Sequence, residues 1–424
     1  MHKNLFLVLI CLIAMQSGLT AQVISPAGKT PTAGISQERV TKLDAMLEEA
    51  IQKEQVPGLV AMVVKNGQIV YHSAKGFADV ESGKKMEKNS IFRIASQTKA
   101  ITSTAIMILW EEGKFRLDDP ISKYIPEFKN PQVLSTFRYA DTTYSTKPSS
   151  KEITIRHLLT HTSGLGYGVI DGDERMKMIY HKAGVVDLFT TEKVTIEESV
   201  KRLAKLPLHH EPGTKYTYSE GLDVLGYLVE VISGKPFDVF LKERIFDPIG
   251  MNDTRFYLND AQAPRLVTVH TRKDGKWASY PVTFYDPAYP KTGAKTFFSG
   301  GAGLSSTTED YAKFLQMYLN GGIYNGKRIL SSHTIHTMMQ NQVGDLWNAD
   351  RYHGIGFGVV TDKGVAMGGM GSKGTFDWGG YFNTQYFADP ETGIIGLIFK
   401  QTSGAGNGDE TGWKFRQMVF TLVE

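Results

Sequence analysis

Cysteine is almost absent from this 424-residue chain: the single one is Cys11. It sits inside the apolar run 5–15, which follows Lys3 and leads through Gln16-Ser17-Gly18-Leu19-Thr20 to the small residue Ala21. A basic start, a short apolar core and a small residue at its end predict a secretory signal peptide over 1–21, cleaved after Ala21, and a secreted or periplasmic location. Cys11 follows Ile10 in mid-run, whereas a lipid-modified cysteine would stand at the end of such a run. Beyond residue 21 there is no cysteine, which excludes disulfides, thiolate metal sites and a cysteine nucleophile from the processed chain. Any covalent nucleophile must be an oxygen or an amine.

Long apolar runs are also missing. No later stretch approaches the ~20 residues that spanning a bilayer requires, so no stable membrane span is expected. Charge of one sign is missing too: 47 Lys and Arg face 44 Asp and Glu. Without a basic block, nucleic acid is not an expected partner. His209-His210 and His333-x-x-His336 lack acidic residues at zinc-site spacing, so neither a metal nor another cofactor is expected. No feature points to a particular oligomeric state. What is present is apolar material for a large core, or for two lobes sharing an interface, with 41% of residues hydrophobic.

A polar linker, about 22–35, precedes Val40, Leu43, Met46, Leu47 and Ile51, whose spacing predicts an amphipathic helix. Two β-rich runs, 59–64 and 68–73, flank Lys65-Asn66-Gly67 and predict a hairpin. A second hairpin is predicted from 384–388 and 394–401, followed by a helix over 410–423. Helix and hairpin at each end suggest one sheet domain, 36–115 plus 295–424, with an inserted, mostly helical domain over 116–294. Helices are predicted over 155–159, 222–232 and 307–319, the last opened by the capping box Ser306-x-x-Glu309. The Ser-, Thr- and Tyr-rich stretch 130–151 reads as a long loop.

The run Phe92-Arg93-Ile94-Ala95-Ser96-Gln97-Thr98-Lys99 leads into the apolar stretch 105–110. Ser96 falls at the start of a buried helix and Lys99 one turn on, so the two share a face. The field of a helix N-terminus and burial both disfavour a charged lysine, and a neutral Lys99 can take the serine proton. The pair taken alone also fits a capping serine followed by a solvated lysine. Ser82-Gly83-Lys84-Lys85 repeats the pattern in a polar turn with no helix behind it.

Several blocks in order resemble the superfamily of class C β-lactamases, DD-peptidases and family VIII carboxylesterases. They are Phe92-Arg93-Ile94-Ala95-Ser96-x-x-Lys99, Leu158-Leu159-Thr160-His161-Thr162-Ser163-Gly164-Leu165, Pro212-Gly213-Thr214-x-Tyr216-x-Tyr218-Ser219, Gly300-Gly301-Ala302-Gly303-Leu304 and Trp378-Gly379-Gly380. The resemblance implies a β-lactamase/transpeptidase-like α/β fold, an antiparallel sheet flanked by helices, with the site between the sheet and the helical insertion. It also implies Ser96 as nucleophile with Lys99, and Tyr218 as the tyrosine that exchanges protons with the serine and the leaving group. Tyr257-Leu258-Asn259, Tyr318-Leu319-Asn320 and Tyr381-Phe382-Asn383 fit the family's Tyr-x-Asn pattern literally. Only Tyr218 has the family's context on both sides.

Two departures shift the expected substrate. Glu220 stands where lactamases and peptidases have an amide-binding asparagine, and an ionised carboxylate cannot donate to a carbonyl. Trp378-Gly379-Gly380 fills the third box, where lactamases have a lysine, while Lys291-Thr292-Gly293 spells that box out of place and reads as a solvated loop. The resemblance puts an oxyanion hole at the backbone N–H groups of Ser96 and Tyr381, with Trp378, Gly379, Gly380 and Glu220 against the substrate. His161 reads as a structural histidine beside a tight turn. The expectation is a serine hydrolase of small-molecule carboxylic esters. A β-lactamase, a D-Ala-D-Ala peptidase or an amidase of the same fold is the alternative, and a silent peptidoglycan- or ligand-binding module is a second.

Overall fold

A strand buried along almost its whole length must be covered on both faces, and two such strands lie side by side among the described residues. Gly58–Lys65 (β1) and the segment Ile394–Phe399 pair antiparallel, with Val60 opposite Phe399 and Lys65 opposite Ile394. They form the centre of a sheet completed by β2 (Gln68–Asp79), β3 (Lys84–Lys85), β4 (Arg351–His353), β5 (Gly358–Val360), β6 (Phe376–Gly380) and β7 (Thr384–Asp389), with Ile394–Phe399 as β8. The spatial order is β4-β5-β6-β7-β8-β1-β2-β3, every pair antiparallel. The computed structural model describes residues 22–26, 34–404 and 408–423. The signal peptide expected over 1–21 lies outside them.

Alternation along β1 decides which helices cover which face. Leu59, Ala61 and Val63 pack with Leu43 and Leu47 of α1 (Gln37–Gln52) and with Phe415 and Val419 of the C-terminal helix Thr411–Phe420. Val60, Met62 and Val64 face the larger core. That core holds α2 (Thr98–Glu111), α3 (Gly221–Ser233) and α4 (Thr308–Leu319); the C-terminal helix Thr411–Phe420, on the other face, is α5. In α2 every residue from Thr98 to Leu109 is buried. The sheet is thus assembled from 58–85 and 351–399, and the helices Ile155–Leu159, Glu174–Lys182, Ile196–Leu203 and α3 come between. Among the described residues, no helix is long and apolar enough to cross a membrane.

Two expectations fail for local reasons. The stretch 130–151 is a hairpin, Gln132–Arg138 paired with Thr143–Pro148. Its alternation was hidden because one strand is exposed throughout, leaving no apolar face to read. The cap of α4 is Thr307, whose side chain accepts from Asp310 N–H at 3.1 Å, rather than Ser306 paired with Glu309. Ser306 is held extended opposite Phe92, and its hydroxyl pairs with Thr254 at 2.7 Å.

Near α3 the chain buries several carboxyl groups. Asp187 accepts from the N–H groups of Gly168 at 2.9 Å and Val169 at 3.3 Å. Burial, with the nearby Asp223 adding, still pushes its pKa up to about 6 from 3.8, despite those two bonds. Between these values the folded chain holds a proton that the unfolded chain has released. This contribution is therefore full below about pH 4 and is lost as pH rises through 6.

Two stability outcomes follow from these contacts. Thr307→Ala should lower the unfolding free energy by about 1 kcal/mol in urea titrations, with Glu309→Gln within a few tenths; the opposite ranking would restore the Ser306 box. Asp187→Asn should gain on the wild type by about 2–3 kcal/mol between pH 4 and pH 7. Parallel pH profiles of the two proteins would show that Asp187 does not titrate in this window.

Candidate active site

The N-terminal approach to α2 presents Ser96 by means of an unfavourable backbone. Ala95 adopts φ 44°, a region that side chains other than glycine seldom enter. It starts the 3-10 turn Ala95–Gln97 that precedes Thr98. The surroundings hold it there: Ile94 N–H donates to Leu304 O at 3.0 Å and Gln97 N–H to Ile94 O at 3.0 Å. Ser96 is consequently half-buried and open while its neighbours Ala95 and Gln97 are fully buried.

Lys99 is 3% exposed, and its Nζ reaches three acceptors. These are Ser96 Oγ at 3.3 Å, Tyr167 OH at 2.8 Å and Gly301 O at 2.8 Å. As the amine that a general base requires, Lys99 can donate to Tyr167 and Gly301 and turn its lone pair toward Ser96. The glycine block supplies the third, and it docks against α2 at two further points, Thr102 Oγ1 donating to Gly300 O at 2.6 Å and Leu304 N–H donating to Thr98 Oγ1 at 3.2 Å. Gly301 must lack a side chain, since a Cβ there would lie 2.9 Å from Asp223 Oδ2 and 3.3 Å from Tyr167 OH.

The phenol bonded to Lys99 is Tyr167, which the sequence analysis did not single out. Burial pushes its hydroxyl well above 10, with Tyr218 and the carboxyls of Asp223, Glu220 and Asp187 acting in the same direction. It is a neutral phenol. Tyr218 presents its ring instead, with Lys99 Nζ 4.6 Å from the centroid, and its hydroxyl has no hydrogen bond among the described residues. His161 supports that ring from behind at 4.5 Å. Its Nδ1 accepts from Ser219 N–H at 3.2 Å, and burial lowers its pKa well below 6.5, so it sits neutral in the role expected of a structural histidine.

Glu220 departs from the expectation of substrate contact. It is 2% exposed at the start of α3, amid Gly168, Asp187, Asp223 and Asp171. Burial, then Asp187 and Asp223, raise its pKa well above 4.5. Burial thus favours its protonated form, and the carboxyl is enclosed in the protein interior, where the contrast drawn from an ionised carboxylate in the cleft does not apply.

Trp378, Gly379 and Gly380 end β6, all half-buried, and Tyr381 follows at 41% exposure. Gly380 approaches the nucleophile segment closely: a Cβ there would lie 2.4 Å from Ile94 O. Trp378 belongs to a row of rings that includes Trp347, another residue the sequence analysis missed. Trp347 stacks on Trp378 at 5.8 Å and on Tyr216 at 5.7 Å, and Trp378 lies 6.2 Å from Tyr218. His353 meets Trp378 edge-on at 5.4 Å, and burial lowers its pKa to about 4, so its ring is uncharged at neutral pH; the Arg351 guanidinium lies 5.7 Å from the Trp347 centroid and is paired with Asp377. Lys291 lies in the exposed turn of Tyr289–Thr292. Among the described residues, no three His, Cys, Asp or Glu side chains are grouped to hold a metal.

The Beta-lactamase family profile matches residues 43–417. Esterase EstB of Burkholderia gladioli is 31% identical over 382 residues, 86% of this chain and 91% of its own. An uncharacterized protein of Mycobacterium tuberculosis is 32% identical over 373 residues, 84% of this chain and 88% of its own. Among solved structures, EstCE1, described as a hydrolase with promiscuous acyltransferase activity, superimposes with a TM-score of 0.77 at 27% identity, covering 91% of this chain and 99% of that one. Profile, fold and esterase relatives agree over most of the length, and the chain belongs to the β-lactamase family as a serine hydrolase.

Proposed function

We propose that this protein is a secreted carboxylesterase that cleaves esters with uncharged acyl groups through an acyl-enzyme on Ser96. The observation that carries the reading is the placement of Lys99 Nζ, 3.3 Å from Ser96 Oγ and fixed on its far side by Tyr167 and Gly301. Ser96 Oγ attacks the ester carbonyl carbon as its proton passes to the lone pair of Lys99 Nζ. The carbonyl oxygen takes up negative charge between the backbone N–H groups of Ser96 and Tyr381, each such donor contributing ~3 kcal/mol to the transition state. The carbon–oxygen bond of the ester then breaks. Tyr218 gives its proton to the leaving alkoxide and is reprotonated from Lys99, and water releases the acyl group by the reverse sequence.

Tyr218 suits the mobile proton because its hydroxyl is not tied to a partner among the described residues, whereas Tyr167 is buried and bonded to Lys99. The uncharged rings of Tyr216, Trp347, Trp378 and His353 favour a neutral, apolar acyl group over the terminal carboxylate of a D-Ala-D-Ala peptide. The description of EstCE1 favours acyl transfer to alcohols as a second outcome at the same site. Secretion rests on the signal-like segment 1–21.

A fluorophosphonate should label Ser96, and p-nitrophenyl butyrate should be hydrolysed far faster than a chromogenic cephalosporin. No labelling of the folded protein would favour a binding module, and the reverse substrate ranking would favour a lactamase. Tyr218→Phe should lower kcat about 10²–10⁴-fold for ethyl butyrate, whose alkoxide must be protonated, and much less for p-nitrophenyl butyrate. Tyr167→Phe should affect both esters alike; a leaving-group dependence in Tyr167→Phe alone would exchange the two roles.

A further inference from the structure

The Tyr381 N–H can serve an oxyanion only if the turn that carries it is held still. The turn closes with Asn383 N–H donating to Gly380 O at 2.9 Å, and Asn383 sits at φ 70°. Tyr381 itself is 41% exposed and meets Tyr285 and Phe382 edge-on, at 6.0 and 5.3 Å, without being enclosed. The amide of Asn383 is drawn inward instead, donating to Thr402 Oγ1 at 3.0 Å and to Asp409 Oδ2 at 2.8 Å. The same Asp409 oxygen accepts from Lys400 Nζ at 2.7 Å, and this ammonium also donates to Thr411 Oγ1 at 2.9 Å. The pair is buried, with side-chain exposures of 1% for Lys400 and 5% for Asp409. Thr402 N–H completes the hold by donating to Phe382 O at 3.1 Å.

The residue between these two anchors grips the other side of the site. Gln401 Oε1 accepts from Arg93 N–H at 2.7 Å, and its Nε2 donates to Arg93 O at 3.2 Å. Three consecutive residues past β8, Lys400-Gln401-Thr402, therefore fix both the turn bearing Tyr381 and the segment leading to Ser96. A buried ion pair seldom stabilises a fold more than apolar packing of the same volume would. Its use here fits geometric precision, because a catalytic donor displaced by a fraction of an ångström loses much of its effect.

We propose that Asn383, Asp409 and Lys400 form a buried positioning clamp for the Tyr381 N–H, a role that rests on reading Ser96 as the nucleophile and this N–H as an oxyanion donor. None of the three touches the substrate. The clamp acts on the transition state, so its loss should appear in kcat and in the rate of phosphonylation, with KM unchanged.

Asn383→Gly tests this directly, since glycine keeps the left-handed turn accessible and removes only the amide. The expected result is a 10- to 100-fold slower reaction of Ser96 with a fluorophosphonate and a matching fall in kcat for p-nitrophenyl butyrate. KM should stay within about twofold, and the unfolding midpoint within a few degrees. Asp409→Asn, which keeps the shape and removes the charge, should show the same split to a smaller extent and serves if Asn383→Gly does not fold. Unchanged phosphonylation and kcat in a folded variant would overturn the clamp alone. A wild-type protein that does not react would overturn the assignment of Ser96 as well.

Discussion

The site depends on holding one lysine side chain in the interior. Lys99 lies at 3% exposure, and all three directions around its nitrogen are occupied, by Ser96, Tyr167 and Gly301. Each partner comes from a different part of the chain. The strained Ala95 presents Ser96, Tyr167 comes from the loop after the helix Ile155–Leu159, and Gly301 comes from a glycine block docked on α2. An amine so placed can give up and retake a proton with little movement of its surroundings, which is what general base catalysis requires. The same contacts fix α2 against the rest of the molecule, so fold and chemistry share their hydrogen bonds.

Behind that lysine lies a second environment. Asp187, Glu220 and Asp223 are all raised by burial, and the first two meet the loop containing Tyr167 and Gly168. Asp223 also faces Lys99, which lowers its pKa against the larger effect of burial. On the open side stands a row of aromatic rings, Tyr216, Trp347, Trp378 and Tyr218. The contrast separates a polar, proton-holding back from an apolar front, and it is the front that supports a neutral ester as substrate.

Much of this was legible in the sequence. The β-rich runs 59–64 and 394–401 predict strands of two hairpins; the structure ends the second at Phe399 and pairs the two with each other at the centre of the sheet. The ordered motif blocks placed Ser96, Lys99, Trp378 and Gly380 in one region, and the structure brings them there. Tyr167 was missed although it follows the matched block by two residues: a tyrosine's partner depends on how a loop folds back, which spacing does not encode. Trp347 lies in an irregular segment with no periodicity at all. Glu220 was misread because its chemistry depends on burial, and a motif position says nothing about which way a carboxyl faces. The hairpin over 132–148 escaped because its exposed strand has no apolar alternation to detect.

In this mechanism Ser96 carries the acyl group during turnover, with Lys99 as its base. Rapid-quench peptide mapping of the enzyme mixed with p-nitrophenyl butyrate tests it most directly. A single butyryl group on the peptide containing Ser96, formed in the wild type within the first turnover and absent from Lys99→Met, is the predicted result. Turnover with no acylated intermediate, or with the acyl group on another residue, would contradict it.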